Sequence, residues 1–95
     1  MNEPITESSG NVFADLGFSA EESALLQLRA DLMASLRQAI EARSWTQAQA
    51  ASILGISQPR VSDLMRGKWG KFSLDMLVTL AVRAGLHPRV ALEAA

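Results

Sequence analysis

Cysteine is absent from this 95-residue chain, which excludes a disulfide framework, a thiol nucleophile and a thiolate metal site, and fits a reducing cytoplasm. Histidine occurs once, at His87, and no residue at a recognised spacing pairs it with a nucleophile or a second metal ligand. Gly-rich phosphate loops after a strand pattern are missing, and no paired carboxylates stand apart from a solvated helix face. No catalytic residue, metal or cofactor is assigned, and an enzyme is the weakest reading. No apolar run approaches the length of a membrane span. The N-terminal MNEPITESSG lacks the basic and apolar regions of a signal peptide. A cytoplasmic protein without membrane contact is expected, of a length that suits one core rather than two.

A basic excess is also lacking, since the net charge is −1, whereas a nucleic-acid binder is usually basic. The charge is unevenly spread, however. Residues 1–42 hold seven acids against two bases, and residues 43–95 hold seven bases against three acids. The second half would attract phosphate and the first would repel it, so the chain is expected to present two faces to two different partners.

The basic half contains the most informative segment, TQAQAASILGISQPRVSDLMRG at residues 46–67. Thr46 with Gln49 three residues on forms a capping box, Gly55 supplies a sharp turn, and Ser57 caps a second helix. Pro59 falls in that helix's first turn, where a missing N–H is harmless, and Gly67 is placed to end it in a left-handed conformation. Ala51 is small enough for a steep helix crossing. Ala50, Leu54, Ile56, Val61 and Leu64 fall on the faces turned inward. An ordinary helical hairpin would share the two helices, but not the coincidence of small residue, turn glycine and capped second helix that DNA-reading helix pairs carry.

These residues, with the following lysine, resemble the helix-turn-helix of the Cro and phage-repressor class, the XRE family, and the similarity runs from about Leu32 through Gly85. The resemblance implies an all-α, λ-repressor-like compact domain of about five helices, with the second helix of the pair in the DNA major groove. It implies that Gln58, Pro59 and Asp63 face the bases. Asp63 departs from the neutral or basic residue common there. Gln47 and the backbone amides opening the second helix match positions that hold a phosphate. Within the family, SQPRVSDLMRGK, the long preceding helix and NVFADLGF are most similar to HigA-type antitoxins.

Elsewhere, residues 1–11 read as a polar, flexible arm, and Val12, Phe13, Leu16 and Phe18 as an apolar cluster completing an N-terminal segment of residues 1–18. The helix-turn-helix domain then occupies 19–95. Ser19 and Glu22 form another capping box, so a long first helix should begin near Ala20. Leu25, Leu28, Leu32, Leu36 and Ile40 recur at helical steps, which predicts one amphipathic helix of about 24 residues, about 36 Å long. A domain built around residues 46–67 covers only its second half. Leu25, Leu26 and Leu28 must therefore fold under Phe13 and Phe18, meet a second subunit, or bind another protein. Ser73 caps a last helix through about Ala84, with Leu74, Leu77, Val78, Leu80 and Ala81 as its core stripe. For the tail from Leu86 to Glu93, a short strand is favoured over a final helix starting at Pro88.

On a helical wheel with Val61, Leu64 and Met65 inward, Pro59, Ser62, Asp63 and Arg66 point outward, with Gln58 leading. These five are the base-reading candidates: Gln58 suits adenine, Arg66 guanine and Pro59 a thymine methyl. Asp63 could accept from cytosine N4 or pair with Arg60 or Arg66. Arg43, Gln47, Ser57, Arg60, Lys68 and Lys71 form the phosphate-binding rim. Trp45 and Trp69 read as packing residues at loop junctions rather than stacking platforms. One recognition helix covers few base pairs, so a homodimer on a palindromic double-stranded operator is expected. About four phosphates neutralised per subunit would give a log-affinity slope against log salt near −7. Three roles compete: a stand-alone repressor, an antitoxin that autoregulates its operon and neutralises a small basic toxin, and an interaction module that borrows the helix-turn-helix shape. For the second, the partner-binding candidates are Phe13, Phe18, Leu25, Leu26 and Leu28.

Overall fold

The computed structural model describes residues 12–94, so the polar arm expected at 1–11 lies outside the described residues. Within that range the chain is all-helical: α1 (Val12–Asp15), α2 (Ala20–Ala42), α3 (Gln47–Leu54), α4 (Gln58–Met65), a 3-10 turn (Trp69–Lys71) and α5 (Leu74–Arg83).

Every helix from α2 onward begins on a hydroxyl. The side chains of Ser19, Thr46, Ser57 and Ser73 each accept the backbone N–H three residues on, satisfying a donor that has no partner within the helix. Both expected capping boxes are complete. Ser19 Oγ accepts from Glu22 N at 3.1 Å while Glu22 Oε1 accepts from Ser19 N at 3.0 Å. Thr46 and Gln49 repeat the exchange at 3.1 and 2.9 Å.

The helices also share one way of stopping. A residue with positive φ follows each of them, namely Gly17, Ser44, Gly55, Gly67 and Gly85. The next N–H then reaches back to a carbonyl five residues earlier, as from Trp45 to Ile40, Ile56 to Ala51, Lys68 to Asp63 and Leu86 to Ala81. This closure satisfies the last carbonyls of each helix.

A single core joins the elements. Met33, Leu36 and Ile40 of α2 meet Ala50 and Leu54 of α3, Val61 and Leu64 of α4, Phe72, and Leu77, Leu80, Ala81 and Ala84. Five of its leucines are wholly buried, each contributing about 1.5–3 kcal/mol relative to exposure. Trp45 and Trp69 pack against this core, as does the half-buried Ala51. At the other end of α2, α1 folds back. Phe13 stands edge-on to Phe18 at 6.2 Å and to Trp69 at 5.4 Å, and Ser23 Oγ, buried, donates to the Phe18 carbonyl at 3.4 Å.

Three sequence expectations shift in detail. The buried side of α2 runs through Leu26, Met33, Leu36 and Ile40, while Leu25 is exposed and Leu28 and Leu32 are half-buried. Each four-residue step overshoots a full turn by about 40°, so the Leu25-to-Ile40 series winds away from the core as it is followed back, and Met33 and Leu26 take over. In α5, Val78 is exposed although the stripe assigns it inward. The favoured C-terminal strand is not formed, nor is a helix from Pro88: residues 86–94 carry no regular structure. A strand needs an edge to pair with, which none of the described elements offers, and so short a helix cannot nucleate without a surface to pack on.

Candidate nucleic-acid interface

The interface is organised by α3 and α4 around the turn at Gly55. Gly55 has φ +70°, and a Cβ built there would lie 3.1 Å from the Arg83 guanidinium. Glycine is required twice over: for the left-handed backbone and for the approach of Arg83. Arg83 Nη1 donates to the Leu54 carbonyl at 2.8 Å, so α5 clamps the end of α3 at the corner. This clamp was not among the sequence candidates. The available signal was a basic residue in the last turn of α5, which reads equally well as a surface charge.

α4 then leaves the turn from the Ser57 cap, with Pro59 in its first turn. Val61 and Leu64 are wholly buried and Met65 packs against the core. The opposite edge carries Gln58, Pro59 and Arg66, all exposed, with Ser62 and Asp63 half-buried between them. Four of the five base-reading candidates thus occupy one outward edge without a side-chain bond among the described residues.

Asp63 differs. Its carboxylate lies 3.7 Å from both Lys68 Nζ and Lys71 Nζ, and neither Arg60 nor Arg66 is its partner. The loop after Gly67 curls back beside α4 and delivers the two lysines, which spacing along one helix cannot anticipate. Arg60 binds the same loop from the other side: its guanidinium donates to the Lys71 carbonyl at 2.9 Å and sits 4.2 Å over the Phe72 ring. Since Phe72 is buried in the core, the Lys68–Lys71 segment is held against α4 by three polar contacts and one apolar anchor.

The rim candidates therefore divide. Gln47 and Ser57 are exposed at the starts of α3 and α4. Arg60, Lys68 and Lys71 cluster around Asp63. Arg43 is drawn elsewhere: Nη1 donates to the Ala84 carbonyl at the end of α5, and the guanidinium lies 5.1 Å over the Trp45 ring. Arg37, of α2, lies so near Gly67 that a Cβ there would sit 3.3 Å from Nη1. Arginines thus meet the carboxyl ends of α3, α4 and α5, where the helix dipole favours a cation.

The partner-binding candidates divide too. Phe13 and Leu26 are engaged within the chain, whereas Leu16, Phe18 and Leu25 are exposed beside Asp15, Glu21 and Glu22. No group of three or more potential metal ligands occurs among the described residues, and no helix there is long and apolar enough to cross a membrane.

A family model described as a helix-turn-helix domain matches residues 12–93, nearly the whole described range. No curated protein matches the chain.

Proposed function

The chain belongs to this helix-turn-helix domain family, and from that premise we propose that it is a sequence-specific reader of double-stranded DNA that represses transcription as a homodimer on a palindromic operator. One observation carries the reading: α4 buries Val61 and Leu64 completely while Gln58, Pro59 and Arg66 remain exposed on its outward edge. A helix that served only to pack would have no need of a braced, polar, outward edge next to a basic loop. Gln58 and Arg66 have the donors for bidentate contacts to adenine and guanine. Lys68, Lys71, Arg60, Gln47 and Ser57 supply the phosphate contacts that fix register.

Selection from a randomised duplex library, followed by gel-shift titration of the enriched sequence, tests the reading. Gln58→Ala and Arg66→Ala should each weaken binding by about 1–3 kcal/mol and relax preference at one base position. Unchanged binding by both would reduce the helix pair to a scaffold.

A second observation favours an antitoxin, as in the HigA-type proteins the sequence resembles. Leu16, Phe18 and Leu25 form an exposed apolar patch rimmed by Asp15, Glu21 and Glu22, the pattern of a protein-binding site for a basic partner. The partner would be a small basic toxin encoded beside this chain. Co-expression with the adjacent reading frame should yield a complex that Phe18→Glu with Leu25→Glu abolishes while DNA binding persists. No complex with any neighbouring product would leave the stand-alone repressor.

A further inference from the structure

A groove of about 570 Å³ lies between α2, α5 and the C-terminal tail, walled by Leu28, Leu32, Leu74, Val78, Leu86 and Pro88. It contains no residue of α3, α4 or the Lys68–Lys71 loop, so filling it leaves the DNA-reading edge open. The apolar surface continues outside it through Val82, 60 % exposed, Val90, 64 %, and Leu92, 93 %. Among the described residues, the Leu86 N–H to the Ala81 carbonyl is the last backbone hydrogen bond before the chain's end. An untethered tail with apolar side chains at alternate positions thus emerges beside an apolar trough that it does not fill.

We infer that a second copy of this chain occupies the groove, each protomer placing Val90 and Leu92 of its tail into the α2/α5 groove of the other. The inference takes its two-fold arrangement from the DNA-reading proposal and adds the surface that creates it. Plug and socket adjoin on one face of one chain. A two-fold axis through that face sets each plug against the opposite socket and forms both contacts at once. The charges agree with an identical partner. Asp31 stands on the α2 wall and Arg89 on the tail wall. Asp31 accepts from Gln27 Nε2 at 2.9 Å, and neither charged group has an ion-pair partner among the described residues. An exchanged tail carries Arg89 to the other protomer's Asp31, so a surface with one acid and one base becomes complementary to itself. The size is adequate as well. A standard interface takes roughly a tenth of a small protein's surface per partner, about 600 Å² of the 5978 Å² here, which the groove and the exposed strip can supply together.

Sedimentation velocity on the full chain at micromolar concentrations tests this. The wild type should be a dimer. Leu92→Asp and Val78→Asp should be monomers with unchanged helical circular dichroism, because both positions are exposed within the protomer. Asp31→Arg alone and Arg89→Asp alone should each raise the dissociation constant several-fold, and the double variant should restore the dimer. A wild type that stays monomeric, or Leu92→Asp and Val78→Asp variants that dimerise like it, would overturn the assignment. DNA separates this from the earlier proposal. Leu92→Asp should retain the wild-type affinity for a duplex holding one half-site and lose at least about tenfold on the two-half-site duplex. Absence of any DNA binding by a dimer that Leu92→Asp still dissociates would sink the DNA reading and leave the interface standing.

Discussion

Ser44 turns the chain out of α2 with φ +54°, in the same role that Gly55 plays after α3 with φ +70°. For an L-residue with a Cβ this conformation costs about 1–2 kcal/mol, and glycine escapes the penalty. The two positions should therefore respond in opposite directions. Ser44→Gly should stabilise the domain by about 1 kcal/mol, after allowing for the greater freedom glycine has when unfolded. Gly55→Ala should destabilise it by at least about 1 kcal/mol, since the new methyl also presses on Arg83. Urea titrations of the two variants beside the wild type would check both signs. A destabilised Ser44→Gly would mean that the serine hydroxyl contributes more at that corner than its backbone loses.

Each helix begins with a hydroxyl cap and ends in a left-handed turn, so the elements are defined at both ends before packing acts on them. At the start of α2 the cap is also titratable. Glu22 accepts the backbone N–H of Ser19, and its main chain is bonded to the Ser19 hydroxyl; both contacts hold its carboxyl below the ordinary value of 4.5. A depressed carboxyl in the folded state stabilises when ionised. The contribution is fully present above the ordinary glutamate value and is lost as pH falls through the folded one. Glu22→Gln should accordingly melt at a lower temperature than wild type at neutral pH, with the difference shrinking as acid protonates Glu22. A gap of constant size down to the acid limit would show that charge plays no part in the cap.

At the scale of the molecule, the surface beside α4 is set by the balance between Asp63 and its basic neighbours. Arg60, Arg66, Lys68 and Lys71 against Asp63 leave a net +3 near the recognition edge of each subunit, rather than the four unopposed charges the rim implies by sequence alone. A dimer releasing counterions in that proportion should show a slope of log affinity against log salt near −5 instead of −7. Asp63→Asn removes the opposing charge. It should steepen the slope to about −7 and tighten binding at low salt. Titrations over a salt series measure both, and a slope unaffected by the substitution would place Asp63 and its lysines away from phosphate.

Much of this architecture was legible in the residues because its signals are local. Ser19 with Glu22, Thr46 with Gln49, Ser57 and Pro59, and the glycines at 55, 67 and 85 act within one turn of where they stand, so reading them requires no knowledge of the fold. The left-handed turn at Ser44 carried no comparable mark, because serine is ordinary in many other conformations. Identity and spacing also placed Gln58, Pro59 and Arg66 on the outward edge of α4. Phosphate candidates were harder to assign. A basic side chain has the same chemistry whether it meets solvent, phosphate or a carbonyl, and Arg43 and Arg60 meet carbonyls brought near from α5 and the loop.

The amino-acid order alone determined where helices start and stop and which edge of α4 faces outward, since caps, turns and helical periodicity act over a few residues. Tertiary structure alone decided that Asp63 pairs with Lys68 and Lys71, that Arg83 clamps the corner at Leu54, and that Leu28, Leu32 and Val78 line a groove rather than the core. Those outcomes depend on which surfaces meet when α2, α5 and the loop close on one another, and contacts between distant segments leave no periodic trace in a single chain.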